Sequence, residues 1–196
     1  MKNIIYLHGF LSSPKSTKAQ LTLNYITKHH PDVVLHIPTL PGNPFEAVVI
    51  IKRLVENLTV KNDLPTNQLR FIGSSMGGFL STFCVETYGG KAVLINPAVE
   101  PFNLLVDYFG HHQNPYTGED FTIDENSVAQ LQKLNRTTKI NNPNYLVYLQ
   151  TADETLDYQL AVNKYGKDRC VVEDGGNHSF VGLDKHLDSI LDFLLE

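Results

Sequence analysis

The chain of 196 residues sets 16 Lys and Arg against 21 Asp and Glu, a net charge of -5; it lacks the clustered basic residues that nucleic acid demands, so that partner class is excluded. No apolar run approaches the roughly 20 residues of a membrane helix, and Met1-Lys2-Asn3 leads straight into a strand pattern with no room for a signal peptide. With Cys84 and Cys170 fitting buried thiols of a reducing compartment, a soluble cytoplasmic protein of one domain is expected, with its oligomeric state open.

Six short runs rich in β-branched and aliphatic residues recur along the chain, at 3–7, 33–37, 69–72, 92–95, 145–149 and 169–172. Their continuous apolar character predicts burial on both faces. Helical periodicity fills most intervals, at 15–29, 44–58, 78–88, 157–165 and 183–195. This alternation predicts an α/β protein with a mostly parallel six-stranded sheet and helices on both faces.

Residues 96–143 break the rhythm after the fourth strand, because a crossover needs only about a dozen residues. Within them, 96–110 read as a turn and a short amphipathic helix, 111–119 as polar, aromatic and turn-rich, and 124–134 as another short helix. An excursion of this length is expected to be a small lid or pocket wall.

The third strand run enters Gly73-Ser74-Ser75-Met76-Gly77, which in turn enters a helical pattern. A serine hydroxyl becomes a useful nucleophile when a sharp strand-to-helix turn holds it clear of the backbone beside a base. Ser75 is central in the pattern, and Gly73 and Gly77 permit the close approach that such a turn needs. Ser74 reads as a turn or hydrogen-bonding residue.

The nucleophile needs an imidazole, and the imidazole needs a carboxylate on its far nitrogen. Eight histidines compete. His178, in Gly175-Gly176-Asn177-His178 between the last strand and the last helix, has the expected position for the base. His29, His30 and His36 precede the elbow, His111 and His112 fall in the excursion as a solvated pair, and His186 is expected to be exposed on the final helix. Asp153, just past the fifth strand, is the candidate acid, with Asp157 as its main competitor and Glu154 and Asp174 as further ones; Asp157 also reads as a helix N-cap. No histidine spacing suits a metal, and none is expected. An oxyanion would be met by the amide of Met76 and by that of Phe10, in the His8-Gly9-Phe10 turn after the first strand. Leu11, Ser12 and Tyr116 are candidate substrate contacts. Ser13-Pro14 or Ser16 can start the first helix.

On these pieces the sequence resembles the α/β-hydrolase superfamily, and within it the small YqiA-like bacterial esterases. The similarity runs through Tyr6-Leu7-His8-Gly9-Phe10, Ser12-Ser13-Pro14, His30-Pro31-Asp32-Val33, Gly73-Ser74-Ser75-Met76-Gly77-Gly78, Asn96-Pro97-Ala98-Val99, Asn114-Pro115-Tyr116-Thr117-Gly118, the segment 153–158 and Gly175-Gly176-Asn177-His178. The resemblance implies a minimal hydrolase without a separate cap domain, acting on esters of modest size or on acyl thioesters. It also implies a triad of Ser75, Asp153 and His178. Ala152 departs from it, standing where the family often has glycine.

The expected activity is that of a serine carboxylesterase acting on a small-molecule ester without a cofactor. An acyl-CoA thioesterase is the nearest alternative and would need a basic patch for the phosphates, for which Lys15, Lys18 and Arg136 are the candidates. Two non-catalytic alternatives are a hydrolase-fold ligand receptor and a flavodoxin-like module, though His8-Gly9-Phe10-Leu11 makes a poor phosphate cradle.

Overall fold

The structure, a computed structural model, describes residues 2–135, 140 and 142–196. Arg136 lies outside the described residues. The chain opens with β1 (Lys2–Leu7), α1 (Thr17–His29), β2 (Val33–His36) and α2 (Pro44–Glu56), continued by a π-turn at Asn57–Lys61. Next come β3 (Arg70–Ser75), α3 (Met76–Tyr88), β4 (Lys91–Pro97), α4 (Pro101–Leu105), β5 (Gly110–Gln113), β6 (Asp120–Ile123) and α5 (Glu125–Leu134). The remainder is β7 (Tyr145–Gln150), α6 (Tyr158–Tyr165), β8 (Cys170–Glu173) and α7 (Leu187–Leu195).

Six strands form one sheet in the order β2-β1-β3-β4-β7-β8, and every neighbouring pair is parallel. The sheet is buried on both sides, as the apolar runs predict. Ile5 and Leu7 of β1, with Phe71, Leu94 and Val147, face one core together with α2, α3, α5 and α6. Ile4 and Tyr6, with Ile72, Val93 and Tyr148, face the other, which α1 and α7 cover. The chain goes from β1 to β2 on one side and returns to β3 on the other. That reversal opens a crevice at the carboxyl ends of β1 and β3, where open α/β sheets place their ligand sites.

The excursion after β4 holds more structure than its sequence suggests. Residues 111–119 are not merely turn-rich, for β5 and β6 pair as an antiparallel ribbon joined across them. Its signal is the alternation of β6, with Phe121 and Ile123 buried and Asp120 and Thr122 exposed, a pattern too short to stand out. The expected helix at 124–134 forms as α5, and Asp124 caps it reciprocally with Ser127. Two contacts tie the excursion to the crevice: Asn114 Nδ2 donates to Ser12 O at 3.1 Å, and Gly42 N donates to Glu119 Oε2 at 3.3 Å.

Two local expectations are corrected. Ser16 precedes α1 without capping it through its side chain; Ser13 Oγ instead accepts from Lys15 N at 3.0 Å. His186 is not exposed. Its ring packs against Tyr148 and Phe180, its side chain is 18% accessible, and Nε2 meets Glu173 Oε1 at 2.8 Å. The short 3-10 turn Leu183–His186 ahead of α7 points the ring inward.

Candidate active site

Ser75 closes β3 at φ 54 and ψ -121, a conformation that costs a residue with a side chain on the order of 1–3 kcal/mol and recurs at functional turns. Its surroundings leave the turn no alternative. A Cβ on Gly77 would stand 1.8 Å from Leu7 O, and one on Gly73 would stand 2.3 Å from Gly77 O. The β3–β4 register skips Asn96, pairing Ser74 with Ile95 and Ser75 with Pro97.

The loop between β8 and α7 carries His178 back over this turn. Its Nε2 lies 3.0 Å from Ser75 Oγ, and its Nδ1 lies 2.8 Å from Asp153 Oδ2 and 3.0 Å from Oδ1. A carboxylate only accepts, so Nδ1 carries the proton and Nε2 is left to accept from the hydroxyl. The Asp153 side chain is 2% accessible. Burial works to raise its pKa, but the hydrogen bond from His178 and those from the Leu156 and Thr155 amides outweigh it, and the net shift is downward. The carboxylate is therefore held ionised.

The competing carboxylates are engaged elsewhere. Asp157 accepts from Gln159 N at 2.9 Å as the N-cap of α6. Asp174 accepts from Thr151 Oγ1 at 3.0 Å. Glu154 accepts from the backbone N–H of His178 at 2.9 Å. Ala152 is exposed and has no left-handed φ, so its methyl group is accommodated where the resemblance expects glycine.

Met76 is the first residue of α3, so its amide has no intrahelical partner. Gly9, next to Phe10, passes so close that a Cβ there would lie 3.7 Å from Ser75 Oγ. His8 fixes this turn from within: it is 2% exposed, its Nε2 accepts from Leu40 N at 3.0 Å, and Nδ1 therefore donates to Gly9 O at 3.0 Å. Burial lowers its pKa against that bond, which keeps the ring neutral.

Ser12 and Tyr116 line a cavity of about 440 Å³ beside Ser75 and His178. Leu11, at φ 50, packs against the core instead. His111 meets Asp120 at 3.3 Å and His112 stacks on Phe121. Among the described residues, no group of three or more His, Cys, Asp or Glu is arranged to hold a metal, and no helix is long and apolar enough to cross a membrane.

Three residues hold the His178 loop, two of them without a role assigned from sequence and the third, Lys18, weighed there only for CoA phosphates. Buried Asn96, at φ 40, donates through Nδ2 to Asn177 O at 3.0 Å and His178 O at 3.4 Å, and accepts from Gln150 N at 3.0 Å. Gln150, 3% exposed, bonds to Glu173, Asn177 and Val181. Lys18 Nζ donates to His178 O at 3.3 Å and Ser179 O at 3.2 Å. Its pKa is pulled down to about 8 by burial, against the attraction of Asp153 and Glu154. A polar residue closing each of the apolar strands β4 and β7 was the available signal for Asn96 and Gln150.

Solved structures share this architecture at low sequence identity. Est1E from Butyrivibrio proteoclasticus, seen with ferulic acid, matches with a TM-score of 0.74 at 14% identity, over 100% of this chain and 88% of that one. Mouse alpha/beta hydrolase domain-containing protein 10 gives 0.63 at 17% identity, over 98% and 90%. A monoacylglycerol lipase from Paleococcus ferrophilus gives 0.66 at 12% identity, over 98% and 93%. The fold is that of the α/β hydrolases. Residues 3–195 match the uncharacterised protein family UPF0227, and the chain belongs to that family.

Proposed function

We propose that the protein is a serine carboxylesterase working through an acyl-enzyme. Ser75 Oγ attacks the carbonyl carbon of the ester while His178 Nε2 takes its proton, and the carbonyl π electrons move onto oxygen. The amides of Phe10 and Met76 meet that oxyanion; donors of this kind are worth roughly 3 kcal/mol each in comparable sites. The C–O bond to the alcohol then breaks, and the alkoxide leaves with the proton held on His178. Water, deprotonated by the same imidazole, attacks the acyl-enzyme; the bond to Ser75 Oγ breaks, His178 returns the proton to that oxygen, and the carboxylic acid is released. Asp153 holds the ring in the required tautomer and offsets its charge. The cycle calls on no cofactor.

The observation that carries this reading is the continuous run from Ser75 Oγ to His178 at 3.0 Å and on to Asp153 at 2.8 Å, made by residues from three distant loops. A lipase among similar structures is in keeping with it. The reading includes a single domain with residues 96–143 as a lid-like insertion, and a cytoplasmic location suited to the free thiols Cys84 and Cys170. Lys18, one of the cations weighed for CoA phosphates, already spends two donors on backbone carbonyls, so oxygen esters are preferred over CoA thioesters. A fluorophosphonate probe should label the wild type and not Ser75→Ala. A folded wild type that resists labelling would instead indicate a non-catalytic binding protein.

A further inference from the structure

The loop that carries His178 has little of its own to hold it. Gly175 and Gly176 precede the histidine at φ 78 and φ 75, a left-handed conformation open to glycine at the expense of any side chain that could pack the loop in place. The turn within the loop closes from Phe180 N to Asn177 O at 3.0 Å and uses neither polar atom of the His178 main chain. Asp153 and Ser75 engage the ring, but a ring on a shifting backbone shifts with it.

The loop after β7 supplies the anchor. It runs beside the His178 loop, with Thr151 N donating to Glu173 O at 2.9 Å and Ala152 N to Gly175 O at 3.0 Å. Asp153 Oδ1 accepts from the amides of Thr155 and Leu156 at 2.9 Å each, which folds 153–156 into a tight turn. Two consecutive carboxylates thereby reach one residue: Asp153 meets the imidazole, and Glu154 Oε2 accepts from the His178 backbone N–H at 2.9 Å. At the far end of the same residue, His178 O accepts from Lys18 Nζ at 3.3 Å and from Asn96 Nδ2 at 3.4 Å. The Glu154 bond is the shortest of these three main-chain ties, and a charged acceptor makes the stronger kind of hydrogen bond. That bond also draws the Glu154 pKa down, so the acceptor stays ionised, and Lys18 offsets the two adjacent negative charges.

Resting on the esterase reading, we propose that Glu154 is a positioning residue for the reaction: by holding the His178 backbone it keeps Nε2 within hydrogen-bonding distance of Ser75 Oγ while the ring gains and gives up its proton.

The test compares Glu154→Ala, Glu154→Gln and Glu154→Asp by kcat and KM on nitrophenyl acetate and by the rate of fluorophosphonate labelling, with melting curves for each. Glu154→Ala removes the acceptor, so kcat and labelling rate should fall about tenfold at unchanged KM, since misplacing a reacting group by about 1 Å can cost up to about a hundredfold. Glu154→Gln keeps an oxygen of the same reach and should return both to within about threefold of wild type. Glu154→Asp keeps the charge but ends one methylene short of the N–H, and should fall with Glu154→Ala. The low-field NMR signal of the Nδ1–H proton should broaden in Glu154→Ala and stay sharp in Glu154→Gln, and the Gln and Asp variants decide the matter if Glu154→Ala does not fold. Wild-type rates in folded Glu154→Ala, an activity that follows charge with Asp above Gln, or a loss that falls on KM would overturn the proposal. Failure of fluorophosphonate to label Ser75 in the wild type would remove the esterase reading itself, whereas labelling of folded Glu154→Ala at the wild-type rate removes only this inference.

Discussion

Gln150 fills the space that Gly176 leaves by lacking a side chain: a Cβ on Gly176 would stand 2.0 Å from Gln150 Oε1. From there Oε1 accepts from Asn177 N at 3.1 Å and Val181 N at 2.9 Å, while Nε2 donates to Glu173 Oε2 at 2.9 Å and Val181 O at 2.8 Å. These bonds bracket His178 on both sides. Gln150→Leu leaves the Asn177 and Val181 amides without their partner in a buried setting, where each orphaned group costs about 1–3 kcal/mol. We expect a loss on the order of 3 kcal/mol in urea denaturation, and a kcat lowered about 10- to 100-fold with KM little changed, because the ring is misplaced and not removed. A variant with wild-type kcat would show that the His178 loop holds itself.

Asp153 and Asp157 separate two roles that their sequence positions left open. Asp153→Asn keeps the shape but presents the wrong partner to Nδ1–H, and kcat should drop about ten-thousand-fold. Asp157→Asn keeps an N-cap of comparable quality, so both rate and stability should stay near wild type. Steady-state kinetics on the pair decides the assignment, and the reverse pattern would transfer the acid role to Asp157.

The Lys18 ammonium gives the protein an alkaline signature. Its folded pKa of about 8 lies below the ordinary 10.5. Between those values the unfolded chain holds a proton that the folded protein has given up, so stability from this group rises with pH across that window. Below pH 8 both states are charged, and burial of the charge is a constant cost. The wild type should therefore gain on Lys18→Met between pH 8 and 10.5 by at most about 3 kcal/mol. Urea midpoints at several pH values measure it; parallel curves for the two proteins would place the titration elsewhere.

The parts of this molecule legible in the sequence are those written in local patterns. Strands buried on both faces show as continuous apolar runs, and the turn at Ser75 shows because Gly73 and Gly77 are forced by backbone contacts only a few residues away. His178 and Asp153 could be placed because each follows a strand. The clamp of Asn96 and Gln150 could not, since its bonds join residues 54 and 81 positions apart and a polar residue at a strand end does not show which loop it will meet. The β5–β6 ribbon escaped for a different reason: four-residue strands carry two buried side chains each way at most, and only their packing on Phe10 and Gly42 gives them a face. Lys18 read only as a candidate for CoA phosphates, because helical periodicity does not reveal which loop will fold over it.

Asn114 joins the insertion to the rim of the site by two separable sets of bonds. Its Oδ1 accepts from Tyr116 N at 2.9 Å and Thr117 N at 3.2 Å, shaping the turn between β5 and β6. Its Nδ2 donates to Ser12 O at 3.1 Å, fastening that turn to the loop after β1. Asn114→Asp keeps the acceptor and loses the donor, so the turn should survive while its attachment weakens. Asn114→Ala removes both. With each lost bond at this buried position worth about 1 kcal/mol or more, KM should rise about fivefold in Asn114→Asp, with kcat less affected because Ser75, His178 and Asp153 keep their contacts. Amide exchange should quicken across residues 110–123 in both variants, and in Asn114→Ala also at Tyr116 and Thr117 beyond the level of Asn114→Asp. Wild-type KM and exchange in Asn114→Asp would mean that the Ser12 contact does not fasten the insertion.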